Sequence, residues 1–84
     1  MDSMRSMTRN NGLLPSSRVT GYKGHARELT DRDSITRYEA LHGTVIELQE
    51  RYGTQGPLCA LVLLDGGRGT GLWHCSDLAH ERAE

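Results

Sequence analysis

From Thr44 to Cys75 the chain alternates strand-like runs with glycine-rich breaks. Val45-Ile46-Glu47-Leu48-Gln49 mixes apolar and polar positions. Leu58-Cys59-Ala60-Leu61-Val62-Leu63-Leu64 is apolar throughout, and Leu72-Trp73-His74-Cys75 is apolar with one imidazole. Short runs bounded by turn residues read as strands, and a run with no polar position has two faces to cover. The pattern predicts an all-β fold: a small antiparallel barrel or a strongly bent meander with 58–64 in the middle. A short C-terminal helical turn follows over 76–82, where Ser76 or Asp77 can cap it and Leu78 tucks beneath the sheet.

Two five-residue loops fix a register. Gly53-Thr54-Gln55-Gly56-Pro57 joins the first pair of strands and Asp65-Gly66-Gly67-Arg68-Gly69 the second. Symmetry about Gln55 sets Tyr52 opposite Leu58, Leu48 opposite Val62 and Ile46 opposite Leu64. Symmetry about Gly67 sets Val62 opposite Leu72, Leu61 opposite Trp73 and Cys59 opposite Cys75. Because side chains alternate between faces, this register yields a core face of Ile46, Leu48, Tyr52, Leu58, Ala60, Val62, Leu64 and Leu72. The other face holds Val45, Glu47, Gln49, Arg51, Cys59, Leu61, Leu63, Gly71, Trp73 and Cys75. That second face is half apolar and needs a cover.

Upstream, Arg18–Tyr22 fits a short strand, and Lys23-Gly24-His25 and 30–34 fit turns. Over 35–41, Ile35, Tyr38 and Leu41 recur at helical spacing while Ile-Thr-Arg-Tyr favours a strand. A strand is preferred because Gly43-Thr44-Val45 reads as a bulge or bend passing one run into the next.

With 84 residues there is room for one domain and a modest core. Phe is absent, so the single Trp and three Tyr supply the bulky packing. The net charge of −1 conceals an asymmetry: residues 1–27 carry five Lys and Arg against one Asp, and residues 28–84 carry five against ten Asp and Glu. The composition predicts a solvated, disordered basic arm at 1–17 ahead of a barrel domain at 18–84. Such an arm can approach nucleic acid or fold back on its own acidic body. No apolar run is long enough to span a bilayer or serve as a signal segment, so a cytoplasmic location is expected, with both cysteines as free thiols.

Chemistry-bearing patterns are sparse. Cys59 and Cys75, if opposite, lie within disulfide reach, although buried apolar filling is the more ordinary role of such residues. The His74-Cys75-x4-His80 run could ligate zinc, but adjacent strand residues face opposite ways and no second cysteine pair supports it, so no metal and no cofactor are expected. The glycine-rich 66–71 stretch joins two strands and opens no helix, which removes the basis of a phosphate loop and leaves Arg68 at a solvated turn tip. No nucleophile, base and acid can be grouped, and no catalytic role is expected.

The runs His42-Gly43-Thr44-Val45, Leu61 through Gly67, and Leu72-Trp73-His74-Cys75-Ser76-Asp77-Leu78 together resemble the SH3-like small barrels. Within these the chain is loosely similar to the plasmid-borne type II dihydrofolate reductases, which assemble as tetramers around a central pore. The resemblance implies the fold. Where that family's pore strand reads Val-Gln-Ile-Tyr, this chain has Thr70-Gly71-Leu72-Trp73, lacking both the Gln and the Tyr hydroxyl, which argues against the activity.

The expected function is therefore a non-catalytic protein-interaction module or small regulator. Trp73, Leu61 and Leu63 are the expected anchors and Gln49 and Arg51 the rim, because aromatic and Arg residues concentrate binding energy. A homo-oligomeric structural module and a nucleic-acid binder using the basic arm are the alternatives.

Overall fold

Strand-favouring Val and Thr recur in Arg18–Tyr22 (β1), and an apolar run forms Cys59–Leu64 (β4). Together with Glu28–Leu29 (β2), Ala40–Gln49 (β3), Thr70–His74 (β5) and Ala79–His80 (β6), they make one antiparallel sheet in the order β2-β5-β4-β3-β1-β6. The computed structural model describes residues 9–51 and 58–81. Among these residues the only helical pieces are single 3-10 turns at Lys23–His25, Arg32–Ser34, Asp65–Gly67 and Cys75–Asp77. No helix among them is long and apolar enough to cross a membrane. The fold is all-β, but the sheet does not close on itself: β2 and β6 remain its edges. Of the helical turn expected over 76–82, the structure has a 3-10 turn at Cys75–Asp77, without a side-chain cap from Ser76 or Asp77, and Ala79–His80 pairs with β1 as a strand instead.

The hairpin register differs from the symmetric expectation by one residue. Leu64 N–H donates to the Gly69 carbonyl at 2.9 Å, so Gly69 already belongs to the closing pair and the turn proper is four residues long. Val62 then faces Gly71, Leu61 faces Leu72, Ala60 faces Trp73 and Cys59 faces His74. A slip of one residue turns every side chain of the later strand to the opposite face. Trp73 accordingly points into the core beside Ala60, Val62 and Leu64, and its exposure is 0%.

Between β3 and β4, Val45 faces Val62, Leu48 faces Ala60 and Gly43 faces Leu64, with a break in register between Val45 and Glu47. Ile46 is the extra residue of this bulge and is turned outward, 44% exposed, instead of pairing with Leu64. The bulge expected at Gly43-Thr44-Val45 thus falls just after that span, at Ile46. The 53–57 hairpin and the Tyr52 pairing lie outside the described residues.

The core consists of Leu13, Val19, Ile35, Leu41, Val45, Ala60, Val62, Leu64, Trp73, Cys75 and Leu78. The indole sits in a slot made by two glycines: a Cβ on Gly21 or on Gly71 would press against its ring. Its Nε1–H donates to the Tyr22 carbonyl at 2.9 Å, satisfying the one polar group it carries inward.

The segment 35–39 is neither strand nor helix. Ile35 is buried while Tyr38 is 81% exposed, and the segment is tied to the Lys23–His25 turn. Gly24 N–H donates to the Arg37 carbonyl at 3.0 Å and Lys23 Nζ to the Ile35 carbonyl at 2.6 Å.

Residues 9–17, which composition assigns to the arm, are built into the fold. Leu13 is fully buried. Ser16 N–H donates to the Val45 carbonyl at 2.7 Å, and Asn11 Nδ2 reaches the carbonyls of Cys75 and Leu78.

Candidate functional site: the outer face of the sheet

Strand alternation leaves Leu61 and Leu63 of β4 pointing away from the core, and the bulge sets Ile46 of β3 beside them. Leu63 is 50% exposed and Leu61 partly so. Leu63 faces Thr44 on one side and Thr70 on the other, and Leu61 faces Glu47 and Leu72, so the three aliphatic side chains form a short stripe among polar neighbours. Water-facing aliphatic groups clustered in this way gain free energy when covered, at about 25 cal/mol per Å² of apolar surface.

A chain of polar contacts borders the stripe. Gln49 Nε2 donates to Glu47 Oε2 at 2.7 Å, Arg51 Nη1 donates to Gln49 Oε1 at 2.8 Å, and Arg51 Nη2 pairs with Glu28. Glu28 lies on β2, separated from β3 by β4 and β5, so these groups form a strap across the sheet. Two outward residues of the spanned strands, Cys59 and Leu72, are buried at 0% and 1%. Next to the strap, Leu61, Leu72, Leu29, Glu28, Thr30, Arg32, Thr70 and Gly71 line an open groove of about 250 Å³.

Of the five residues expected in the site, Leu61, Leu63, Gln49 and Arg51 share this face. Trp73 does not: the one-residue register difference puts it on the opposite side, fully enclosed, and it cannot anchor a partner. Ile46 takes a place in the stripe that the symmetric register had denied it. The adjacent apolar pair Val45-Ile46 was its sequence signal, since two such neighbours break strand alternation where a bulge can absorb one of them.

At the other end of the outer face Arg18 gathers two acids. Its guanidinium donates to both carboxylate oxygens of Asp65 at 2.8 and 2.6 Å and to Glu81 Oε1 at 2.9 Å. His42 Nδ1 lies 2.7 Å from Glu81 Oε2. The Arg18 hydrogen bonds hold both carboxyls below the usual carboxylate range, with His42 adding to the effect at Glu81. Arg9 is likewise paired with Glu50, at 2.9 Å. Arg9, from the segment expected to be an arm, and Arg18, in β1, are thus both paired with acids of the body.

Arg68 is no solvated tip. It donates to Glu39 Oε2 at 2.9 Å and comes within 3.9 Å of Asp31, fastening the 65–69 turn to the 31–39 segment.

Cys59 and Cys75 are free and buried, and they are not register partners: Cys59 faces His74, while Cys75 lies in the following turn. Burial raises both thiols, Cys75 to about 11. Among the described residues no group of three His, Cys, Asp or Glu is placed to hold a metal ion. Comparison with family models, curated proteins and solved structures brings no match.

Proposed function

We propose that the chain is a non-catalytic interaction module that binds a protein partner through the outer sheet face, with Leu63, Ile46 and Leu61 as its apolar centre and Gln49 and Arg51 at its rim. The observation that supports this most directly is the grouping of three outward aliphatic residues beside a rim of polar side chains that are hydrogen-bonded to one another. An already paired rim loses little side-chain freedom on binding, so the ordering cost of closing over the stripe is low.

The SH3-like resemblance is in keeping with this reading at the level of architecture alone. Self-pairing through the same stripe is the competing use of the face.

The decisive comparison is between the unaltered chain and Leu63→Asp and Ile46→Asp. Both positions are exposed, so fold and urea midpoint are expected to persist while proteins recovered with the unaltered chain are lost. If the unaltered chain has the solution mass of a multimer and the Asp forms that of one chain, the face serves self-pairing. Recovery and mass that are indifferent to both substitutions would overturn the reading.

A further inference from the structure

One recess lies on neither the outer stripe nor the Arg18 cluster. It is an open hollow of about 430 Å³, lined by Tyr22, Gly24, His25, Arg37 and Tyr38. Tyr22 is 50% exposed and Tyr38 81%, and both are on this hollow. Tyr22 and His25 meet edge to face with ring centroids 6.1 Å apart, and the Arg37 guanidinium lies over Tyr38 at 5.8 Å.

The hollow is fixed from behind. The Tyr22 carbonyl accepts from the buried indole, the Gly24 amide donates to the Arg37 carbonyl, and Lys23 Nζ holds the Ile35 carbonyl. Ile35 is itself a core residue. Two walls that belong to separate segments, 22–25 and 35–38, are thus clamped at a set spacing.

The same turn carries a second recess of about 270 Å³, lined by Lys23, Ala26, Arg27, Leu29 and Arg32. Among the described residues no carboxylate lines either recess. Glu39, the nearest acid in sequence to Tyr38, is engaged by Arg68. A cationic guest would find aromatic faces but no counter-charge, whereas an anion bearing a flat ring finds both stacking surfaces and positive charge.

We propose that this hollow binds one nucleotide unit of a single-stranded nucleic acid, a base stacking on Tyr38 and its flanking phosphates lying toward Arg37, Lys23 and Arg32. A volume of this size falls in the range of small-ligand sites, about 300–1,000 Å³. The site is independent of the outer-face stripe and of residues 1–17.

The test is fluorescence anisotropy of a labelled oligouridylate and an oligothymidylate, each about ten nucleotides long, with the full chain at low salt. Tyr38→Ala is expected to weaken binding by about five- to hundredfold, while Tyr38→Phe, which keeps the ring, retains it. Arg37→Gln is expected to lower affinity and to flatten the dependence of log affinity on log salt by about 0.7, the value for one phosphate contact on a single strand. Leu63→Asp leaves all of this unchanged.

The proposal is overturned by any of three results: no oligonucleotide bound at tens of micromolar, equal binding by Tyr38→Ala, or an acidic peptide of the same charge bound as tightly. Uridine monophosphate binding as tightly as the oligonucleotide would also overturn it, in favour of a free nucleotide.

Discussion

Trp73 shows how much a single side chain can depend on one hydrogen bond elsewhere. Its substitution by Ala removes the largest buried group and leaves the Tyr22 carbonyl without its donor, which should cost about 3–5 kcal/mol in urea unfolding. Gly71→Ala should also destabilise, by roughly 1–3 kcal/mol, since the added methyl would press on the indole and on Leu29. A Trp73→Ala chain as stable as the parent would contradict the burial described above. The sequence announced the importance of the lone Trp, but it could not say on which side of the sheet the ring would fall. That depended on whether Gly69 ended the loop or began the strand. The cysteines were legible as buried fillers. With both thiols raised by burial, an aromatic disulfide reagent at pH 8 should label neither in the native protein and both in denaturant.

Among elements, the strands read at 18–22, 58–64 and 72–75 match Arg18–Tyr22, Cys59–Leu64 and Thr70–His74 in place, though not in every bound, because apolar runs there are set off by Gly, Pro or polar residues. The stretch 35–39 was not, because its conformation is imposed by bonds to the Lys23–His25 turn and by Arg68 from a different hairpin. Replacing Arg68 with Ala should loosen that fastening, seen as faster amide exchange over 31–39 with little change across β4; uniform exchange throughout would show that the contact holds nothing. The outer-face acids carry a pH signature. Asp65 and Glu81 have lowered pKa values in the folded chain, so the folded state binds fewer protons than the unfolded one as the carboxylates titrate. Their contribution is complete above the ordinary carboxylate pKa of about 4 and is lost as pH falls through the lowered folded values. The urea midpoint should accordingly decline on acidification, and Arg18→Met should make that decline shallower. Equal slopes in the two proteins would mean that the exposed cluster is screened by solvent.

For the whole molecule, the division into an arm and a body was drawn from composition, and the folded part extends across it. Residues 9–17 hold no strand, but Leu13 fills the core, their main-chain groups pair with β3 and with residue 58, and the Asn11 side-chain amide donates to the carbonyls of Cys75 and Leu78. Polar, turn-rich segments of this kind look solvated in sequence because their anchoring is done by one apolar side chain, by polar side chains such as Asn11 that equally suit a loop, and by main-chain groups that every residue possesses. Leu13→Ala should cost about 2–5 kcal/mol, a loss that a dispensable tail would not produce. The sheet is open, with edge strands that pair over only two residues each. Such brief rims give an incoming backbone little to template upon, so concentrated solutions of this protein should resist ordered fibril growth despite the aliphatic run at its centre.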